Sequence, residues 1–161
     1  MPRIQISENQ NAIAIDLPRL EKAAETILNA LGCTDAELSV LIVDDGEMTR
    51  LNREFRGVDE TTDVLAFPMR EGEYSDVEPD LLGDVVISAP TARILAETHG
   101  TPLEAVLDLL LVHGTLHLLG FDHDEPEEAR LMDAKTIELL RTLGHGAHQA
   151  IGWYTTSSSR P

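Results

Sequence analysis

The chain has 161 residues, and its 12 lysines and arginines against 29 aspartates and glutamates give a formal net charge of −17. This length predicts one domain whose core is large enough to fold without disulfides or a structural metal. A chain this acidic repels nucleic acids and anionic membranes, so binding a polyanion would require a local basic group or a bound cation.

Cysteine content and the N-terminal sequence indicate the compartment. The single cysteine, Cys33, excludes an internal disulfide and a four-cysteine zinc site. The first 20 residues contain no apolar signal segment, and the richest apolar run, 105–112, is interrupted by Asp108. We therefore expect a soluble cytoplasmic protein that does not act at a membrane.

The first half of the chain is predicted to alternate strands and helices. Apolar and β-branched runs predict four strands, at 3–6, 38–42, 64–67 and 84–88. Helical spacing of apolar residues predicts one helix over 20–31, with Pro18 near its start, and another from about Glu47 to Arg56. The acidic residues 69–81 are expected to form an exposed loop.

The second half of the chain is predicted to be mostly helical. Helices are expected at 90–99, from about 102 to 119, and from about 126 to 143. Thr101 and Glu104 have the spacing of a capping box, with Pro102 at the first helical position. The sequence therefore predicts an α+β fold in which helices cover a small mixed four-stranded sheet.

Residues 1–144 are predicted to form a single domain. Residues 145–161 are rich in small and polar side chains and are predicted to form a flexible C-terminal tail. His145 and His148 fall in this tail, where we expect both side chains to be solvated.

Three of the six histidines lie in one segment, His113-Gly-Thr-Leu-His117-Leu-Leu-Gly120-Phe-Asp-His123. Residues four apart share a helix face, so His113 and His117 can direct two imidazoles at one ion. Gly120 can end the helix and let the chain return with His123 as a third ligand. Three histidines with one open position are typical of catalytic zinc sites. We therefore predict one Zn²⁺ per chain at a zincin-like site on a helix and the turn after it.

Three alternatives accompany this interpretation. Asp122 or Asp124 could add a fourth ligand and make the site structural, although both are adjacent to His123. The spacing also occurs in metzincin peptidases, where the residue after the first histidine is the glutamate that acts as general base. Here that residue is Gly114, so a peptidase mechanism lacks its base. A histidine pair on a helix face with no metal role is the simpler alternative, and the full spacing argues against it.

The sequence resembles the YbeY family of bacterial endoribonucleases, the rRNA maturation factors. The family signature HGxLHLxGxDH is complete at residues 113–123. Further matching blocks are 51–57 (LNREFRG), 62–68 (TDVLAFP) and 82–88 (LGDVVIS). Thr61 and Ala66 depart from the family pattern, which usually has Pro and Ser at these positions.

The resemblance implies a metal-dependent endoribonuclease that prefers single strands and acts in 16S rRNA 3′-end maturation and ribosome quality control. It also implies zinc on His113, His117 and His123, and it matches the functional arginine of the family to Arg56. The implied partners are rRNA and the ribosomal small-subunit particle, together with protein partners, and no DNA is expected.

Arg56 also has a purely structural interpretation. A guanidinium can bind a phosphate through two hydrogen bonds and stabilise transition-state charge. A cation in the last turn of a helix also complements the helix dipole. Arg50 and Arg53 lie on the same predicted helix and would extend a basic strip.

Asp63 and Asp84 belong to the matching blocks and have two interpretations. Each could contact and orient the metal-binding side chains without binding the ion itself, or each could be a turn residue.

Three functions are therefore compared. The first is a zinc-dependent ribonuclease that uses Arg56. The second is a metallohydrolase of another substrate class, against which Gly114 argues. The third is a ribosome assembly factor whose zinc site is mainly structural. The strong negative charge favours action on a preassembled particle or with protein partners.

Overall fold

The computed structural model describes residues 1–69, 80–146 and 152–154. In these ranges the elements are β1 (Arg3–Glu8), α1 (Leu17–Ala30), β2 (Glu37–Val43), α2 (Asp45–Arg56), β3 (Val64–Pro68), β4 (Leu81–Ser88), α3 (Ala89–His99), α4 (Leu103–Leu118) and α5 (Pro126–Thr142). The predicted α+β class is confirmed. Most of the loop predicted at 69–81 lies outside the described residues.

The four strands form one mixed sheet in the order β1-β2-β4-β3. Strands β1, β2 and β4 are parallel, whereas β3 runs antiparallel to β4. Strand β3 is therefore an edge strand, and α4 packs beside it. This edge is where the structure brings the functional residues together.

Alternating side chains of the strands give the sheet two apolar faces. Val40 and Val85 belong to the larger core, which contains the buried faces of α1, α4 and α5. Val43 and Val86 point the other way, into a smaller core that also contains Met48 of α2. The prediction that helices cover the sheet is confirmed, and the structure adds that they cover both of its faces.

Helix α4 is the central helix of the larger core. Thirteen of its 16 residues are buried, and apolar side chains surround it on all sides rather than on one stripe. Such a helix is stable only inside the protein. Its position fixes the two histidines near its C-terminal end.

The start of α4 differs from the prediction. Its N-cap residue is Pro102, and no side chain caps the helix. The Thr101 hydroxyl instead accepts a hydrogen bond from Nε1 of Trp153 at 3.4 Å. The predicted capping box is therefore wrong, because the hydroxyl is engaged by a residue 52 positions later in the chain.

Helix α2 begins at Asp45, two residues before the predicted start. Asp44 caps it by accepting a hydrogen bond from the backbone N–H of Glu47 at 2.8 Å. One carboxylate oxygen of Asp45 accepts hydrogen bonds from the hydroxyls of Ser88 and Thr91, at 2.5 and 2.8 Å. Asp45 thereby joins α2 to the junction of β4 and α3.

The C-terminal segment contacts the domain at the positions that the structure describes. Nε2 of His145 lies 2.6 Å from a carboxylate oxygen of Asp108, and its side chain is 18% exposed. The expectation of a solvated His145 is therefore wrong, because a buried carboxylate attracts the imidazole. His148 lies outside the described residues, and the boundary after Gly144 stays a prediction.

Among the helices that the structure describes, none is long and apolar enough to cross a membrane.

Candidate metal centre

The first two histidines lie one turn apart near the end of α4. Their Nε2 atoms are 3.1 Å apart, and the ring centroids are separated by 4.6 Å. His113 is buried and His117 is partly buried. The pairing follows from the four-residue spacing, as the sequence predicts.

A turn after α4 brings the third histidine back to the first two. Gly120 has a φ of 97°, a left-handed conformation that suits glycine. The side chain of Asp122 then accepts a hydrogen bond from the backbone N–H of His123 at 2.8 Å, which fixes the turn. The His123 ring centroid lies 6.0 Å from that of His113 and 5.2 Å from that of His117.

The three imidazoles have a geometry that fits a metal ion. One ring nitrogen from each of His113, His117 and His123 lies within 4.8 Å of the others. Zinc–nitrogen bonds of about 2.0–2.1 Å at tetrahedral angles place two ligand nitrogens roughly 3.3 Å apart. The 3.1 Å distance between Nε2 of His113 and Nε2 of His117 is close to that value.

The surroundings favour the neutral form of His117, which is the form that binds a metal. Burial lowers the pKa of His117, and the nearby positive form of His123 lowers it further, while Asp122 opposes both. A neutral imidazole keeps a lone pair available for coordination.

Two carboxylates, Asp122 and Asp124, lie beside His123 and are candidate fourth ligands. A donor-atom cluster of Asp122, His123 and Asp124 also lies within 4.8 Å. Asp122, however, holds the backbone N–H of His123 and so shapes the turn. The histidine cluster meanwhile faces an open cleft of about 490 Å³, which has room for a substrate.

Arg56 belongs to the lining of the same cleft. It is the last residue of α2, it is exposed, and it lines the same cleft as the three histidines. Among the residues that the structure describes, Arg56 has no ion-pair partner. Its guanidinium is therefore available to an anion in the cleft.

The expected basic strip along α2 is wrong. Arg50 forms ion pairs with Glu47 and Glu54, both at 2.7 Å, and its hydrogen bonds lower the pKa of Glu47. Arg53 forms an ion pair with Asp59 at 3.2 Å. These acidic neighbours neutralise the two arginines and distinguish them from Arg56.

Gly114 lies where α4 passes closest to the sheet. A Cβ atom built at this position would be 2.7 Å from Cγ1 of Val85 and 3.3 Å from Cγ2 of Val64. The β-branched valines have few ways to move aside. Gly114, which stands where the peptidases have their general base, is therefore also required by the packing of α4 on β3 and β4.

Comparison with known proteins gives a consistent result. Residues 5–144 match the family model described as Endoribonuclease YbeY. The chain belongs to the YbeY family. A relative in Geobacter sulfurreducens, named Endoribonuclease YbeY, is 46% identical over 146 residues, covering 89% of this chain and 97% of the relative. A relative of the same name in Syntrophotalea carbinolica is 48% identical over 145 residues, with coverage of 89% and 97%.

A solved structure shares the fold. The solution structure of a protein from Thermotoga maritima superposes with a TM-score of 0.62 at 25% identity, covering all of this chain and 98% of the other. The family resemblance inferred from the motifs is thus confirmed over most of the chain.

The two aspartates of the YbeY blocks lie in different settings. Asp63 is 8% exposed and lines the cleft with the histidines. Asp84 lies within β4, opposite Phe67 of β3, so the turn interpretation of Asp84 is wrong.

Tyr154 is a residue of the cleft that the sequence interpretation missed. It lines the cleft beside His113 and is 3% exposed, although it lies beyond the residues matched by the YbeY family model. The available signal was the Trp153–Tyr154 pair, two adjacent aromatics in a chain with only 4% aromatic residues.

Proposed function

We propose that the protein is a metal-dependent endoribonuclease that cleaves single-stranded RNA. One observation carries the proposal: in a chain of the YbeY family, three histidines line one cleft with an arginine that has no ion-pair partner among the described residues. The relatives carry the name Endoribonuclease YbeY, which supports the same reaction class.

His113, His117 and His123 would hold one zinc ion. Zinc supplies Lewis acidity toward a phosphoryl oxygen and lowers the pKa of a water at its open position to about 7. The role of the protein side chains is to keep the three imidazoles converged, and burial lowers the pKa of His117 and so favours its neutral, metal-binding form. Imidazole ligands without thiolates suit zinc among the first-row metals.

Arg56 would bind the phosphate next to the scissile bond. A guanidinium forms two parallel hydrogen bonds to a phosphate and stabilises the extra negative charge of a pentacoordinate transition state. In a chain of net charge −17, an arginine in the cleft is also a positive charge that attracts the RNA backbone.

The RNA substrate would be the 3′ end of 16S rRNA in a late step of processing and ribosome quality control. This part of the proposal rests on the family and on charge. The acidic surface disfavours binding to free nucleic acids in general, so the small-subunit particle and its proteins would present the RNA to the cleft. The site of action would be the cytoplasm.

The alternative is a ribosome assembly factor whose zinc is mainly structural. Helix α4 is buried by apolar contacts along its length, so the domain has a core that does not depend on a metal. This observation favours the enzyme. A metallohydrolase acting on peptides is disfavoured because Gly114 has no room for a general base.

A cleavage assay tests the proposal. Zinc-loaded protein is incubated with an end-labelled unstructured RNA, with the same RNA in a duplex, and with a single-stranded DNA of matching sequence. We expect cuts within the unstructured RNA alone, their loss after chelation, and their return with added zinc. The His113→Ala variant should stay inactive after zinc is added.

Two results would contradict the enzyme. Wild-type protein that binds zinc and leaves every RNA intact would favour the assembly factor. Cleavage by His113→Ala at the wild-type rate would show that the nuclease is a contaminant or uses another site.

A further inference from the structure

Among the described residues of the segment after α5, Tyr154 reaches the candidate metal centre. The ring of Tyr154 meets the imidazole of His113 edge to face, with centroids 5.3 Å apart and planes at 88°. Tyr154 is 3% exposed, and His113 is 8% exposed. The first metal ligand is therefore covered on one side by a residue that lies 41 positions later in the chain.

The residue before Tyr154 is fixed to the domain by its own contacts. Trp153 stacks on His99 with ring centroids 3.9 Å apart and planes at 4°. Its Nε1–H donates to the Thr101 hydroxyl at 3.4 Å. The two aromatic residues also pack edge to face, with centroids 5.7 Å apart. These contacts hold the Tyr154 ring in one place relative to α4.

The orientation of His113 depends on what surrounds its ring. The terminal torsion of a histidine side chain is broad and easily changed, whereas zinc requires its nitrogen lone pair to point at the ion. Helix α4 holds the backbone, His117 lies on one side of the ring, and Tyr154 lies on another. Edge-to-face aromatic contacts are favourable beyond the area that they bury.

We propose that Tyr154 is a positioning residue of the metal centre: its ring keeps the His113 imidazole in the orientation that binds zinc. This inference rests on the proposed function, because it takes His113 to be a ligand. It adds a contribution from the segment after residue 144, which the family match does not reach.

Zinc affinity measured by competition with a chromophoric chelator tests the inference directly. Groups that orient a metal-binding histidine typically change affinity about 10- to 100-fold when they are removed. Those groups act through hydrogen bonds, whereas Tyr154 acts through an aromatic contact, so we expect Tyr154→Ala to raise the Kd for zinc by a smaller factor, about 3- to 10-fold. Tyr154→Phe keeps the ring and should bind zinc nearly as tightly as the wild type.

A second readout follows the geometry of the site. Co²⁺ in place of zinc gives an absorption spectrum that reports its ligand arrangement. We expect an altered spectrum for Tyr154→Ala and a wild-type spectrum for Tyr154→Phe. Ile42→Val serves as the control, since Ile42 is a fully buried core residue outside the cleft. It should lower stability slightly and leave both the Kd and the spectrum unchanged.

The outcomes separate this inference from the proposed function. If wild-type protein does not bind zinc, both are wrong. If wild-type protein binds zinc and Tyr154→Ala has the same Kd and Co²⁺ spectrum, only the inference is wrong. Equal losses in Tyr154→Phe and Tyr154→Ala would also overturn it, because the ring would then not be the cause. If Tyr154→Ala does not fold, Tyr154→Leu replaces it, with the same weaker binding expected.

Discussion

Asp108 of α4 accepts two hydrogen bonds from the guanidinium of Arg19 on α1, each 3.1 Å long. The Asp108 side chain is 1% exposed, and Nε2 of His145 lies 2.6 Å from one of its oxygens. A carboxylate this deep in the protein is tolerated only when it has such partners. The three side chains join α1, α4 and the segment after α5.

Replacing Arg19 with methionine should destabilise the protein. The variant leaves the buried Asp108 carboxylate with His145 as its remaining partner among these contacts. Removing one member of a buried ion pair typically costs 3–5 kcal/mol, and the Arg19 side chain is itself 32% exposed. We therefore expect a loss of about 3 kcal/mol in the free energy of unfolding, measured by urea denaturation.

Arg3→Met is the matched control. Arg3 pairs with Glu37 at 3.2 Å, but its side chain is 69% exposed. Exposed ion pairs contribute about 0–1 kcal/mol. Equal losses in Arg3→Met and Arg19→Met would show that burial of Asp108 does not determine the effect.

Removing a metal ligand should leave the fold intact. Wild-type protein is expected to hold about one zinc per chain, and His117→Ala much less, because two histidines remain. The large apolar core should keep thermal unfolding cooperative in the variant. Elemental analysis and calorimetry measure the two effects. Retained zinc in a His113→Ala/His117→Ala double variant would exclude this site, and loss of cooperative unfolding would make the metal structural.

The histidine cluster could be predicted from the sequence because its geometry is local. His113 and His117 are one helical turn apart, and Gly120 marks the end of that helix. Only a short turn then separates His117 from His123. A ligand set contained in eleven consecutive residues needs little knowledge of the tertiary fold.

The contacts of the C-terminal segment could not be predicted in the same way. His145 meets Asp108 across 37 positions of sequence, and Trp153 meets Thr101 across 52. Nothing in local spacing selects such partners. The small and polar residues of the segment 145–161 are also typical of loops, so the sequence around Trp153 and Tyr154 does not indicate that these two aromatics are packed. The ion pairs of Arg50, by contrast, could have been predicted from the sequence. Glu47 and Glu54 lie three and four residues from Arg50, the spacings at which side chains meet on a helix.

Gly114→Ala should destabilise the protein even though alanine favours helices. The new Cβ would be 2.7 Å from Cγ1 of Val85, and overpacking a core typically costs 1–3 kcal/mol. Alanine regains about 1 kcal/mol of helix propensity over glycine. We expect a net loss of up to about 2 kcal/mol in the free energy of unfolding.

A second substitution identifies the cause. Val85→Ala removes both methyl groups that the new Cβ would approach most closely. In a Val85→Ala background, Gly114→Ala should therefore cost less or become stabilising. Additive effects of the two substitutions, measured as a double-mutant cycle, would show that the clash with Val85 is not responsible.

Arg56→Ala should abolish most cleavage without changing zinc content. The guanidinium lines the cleft and has no ion-pair partner in the described part of the chain. Removing one preorganised group that stabilises transition-state charge typically lowers kcat about 10²- to 10³-fold. If Arg56 only complements the dipole of α2, the variant should lose roughly 0.3–1 kcal/mol of stability and keep its activity per folded molecule.

Two further variants separate charge, geometry and helix effects at the end of α2. Arg53→Ala removes a cation from the same last turn, but Arg53 already pairs with Asp59, so cleavage should stay near the wild-type rate. Arg56→Lys keeps the charge and removes the planar fork that binds phosphate through two hydrogen bonds. We expect its cleavage rate to lie between those of the wild type and Arg56→Ala. Near-wild-type cleavage by Arg56→Ala would exclude Arg56 from the reaction. If Arg53→Ala lost as much cleavage as Arg56→Ala, Arg56 would support the end of α2 rather than contact a phosphate.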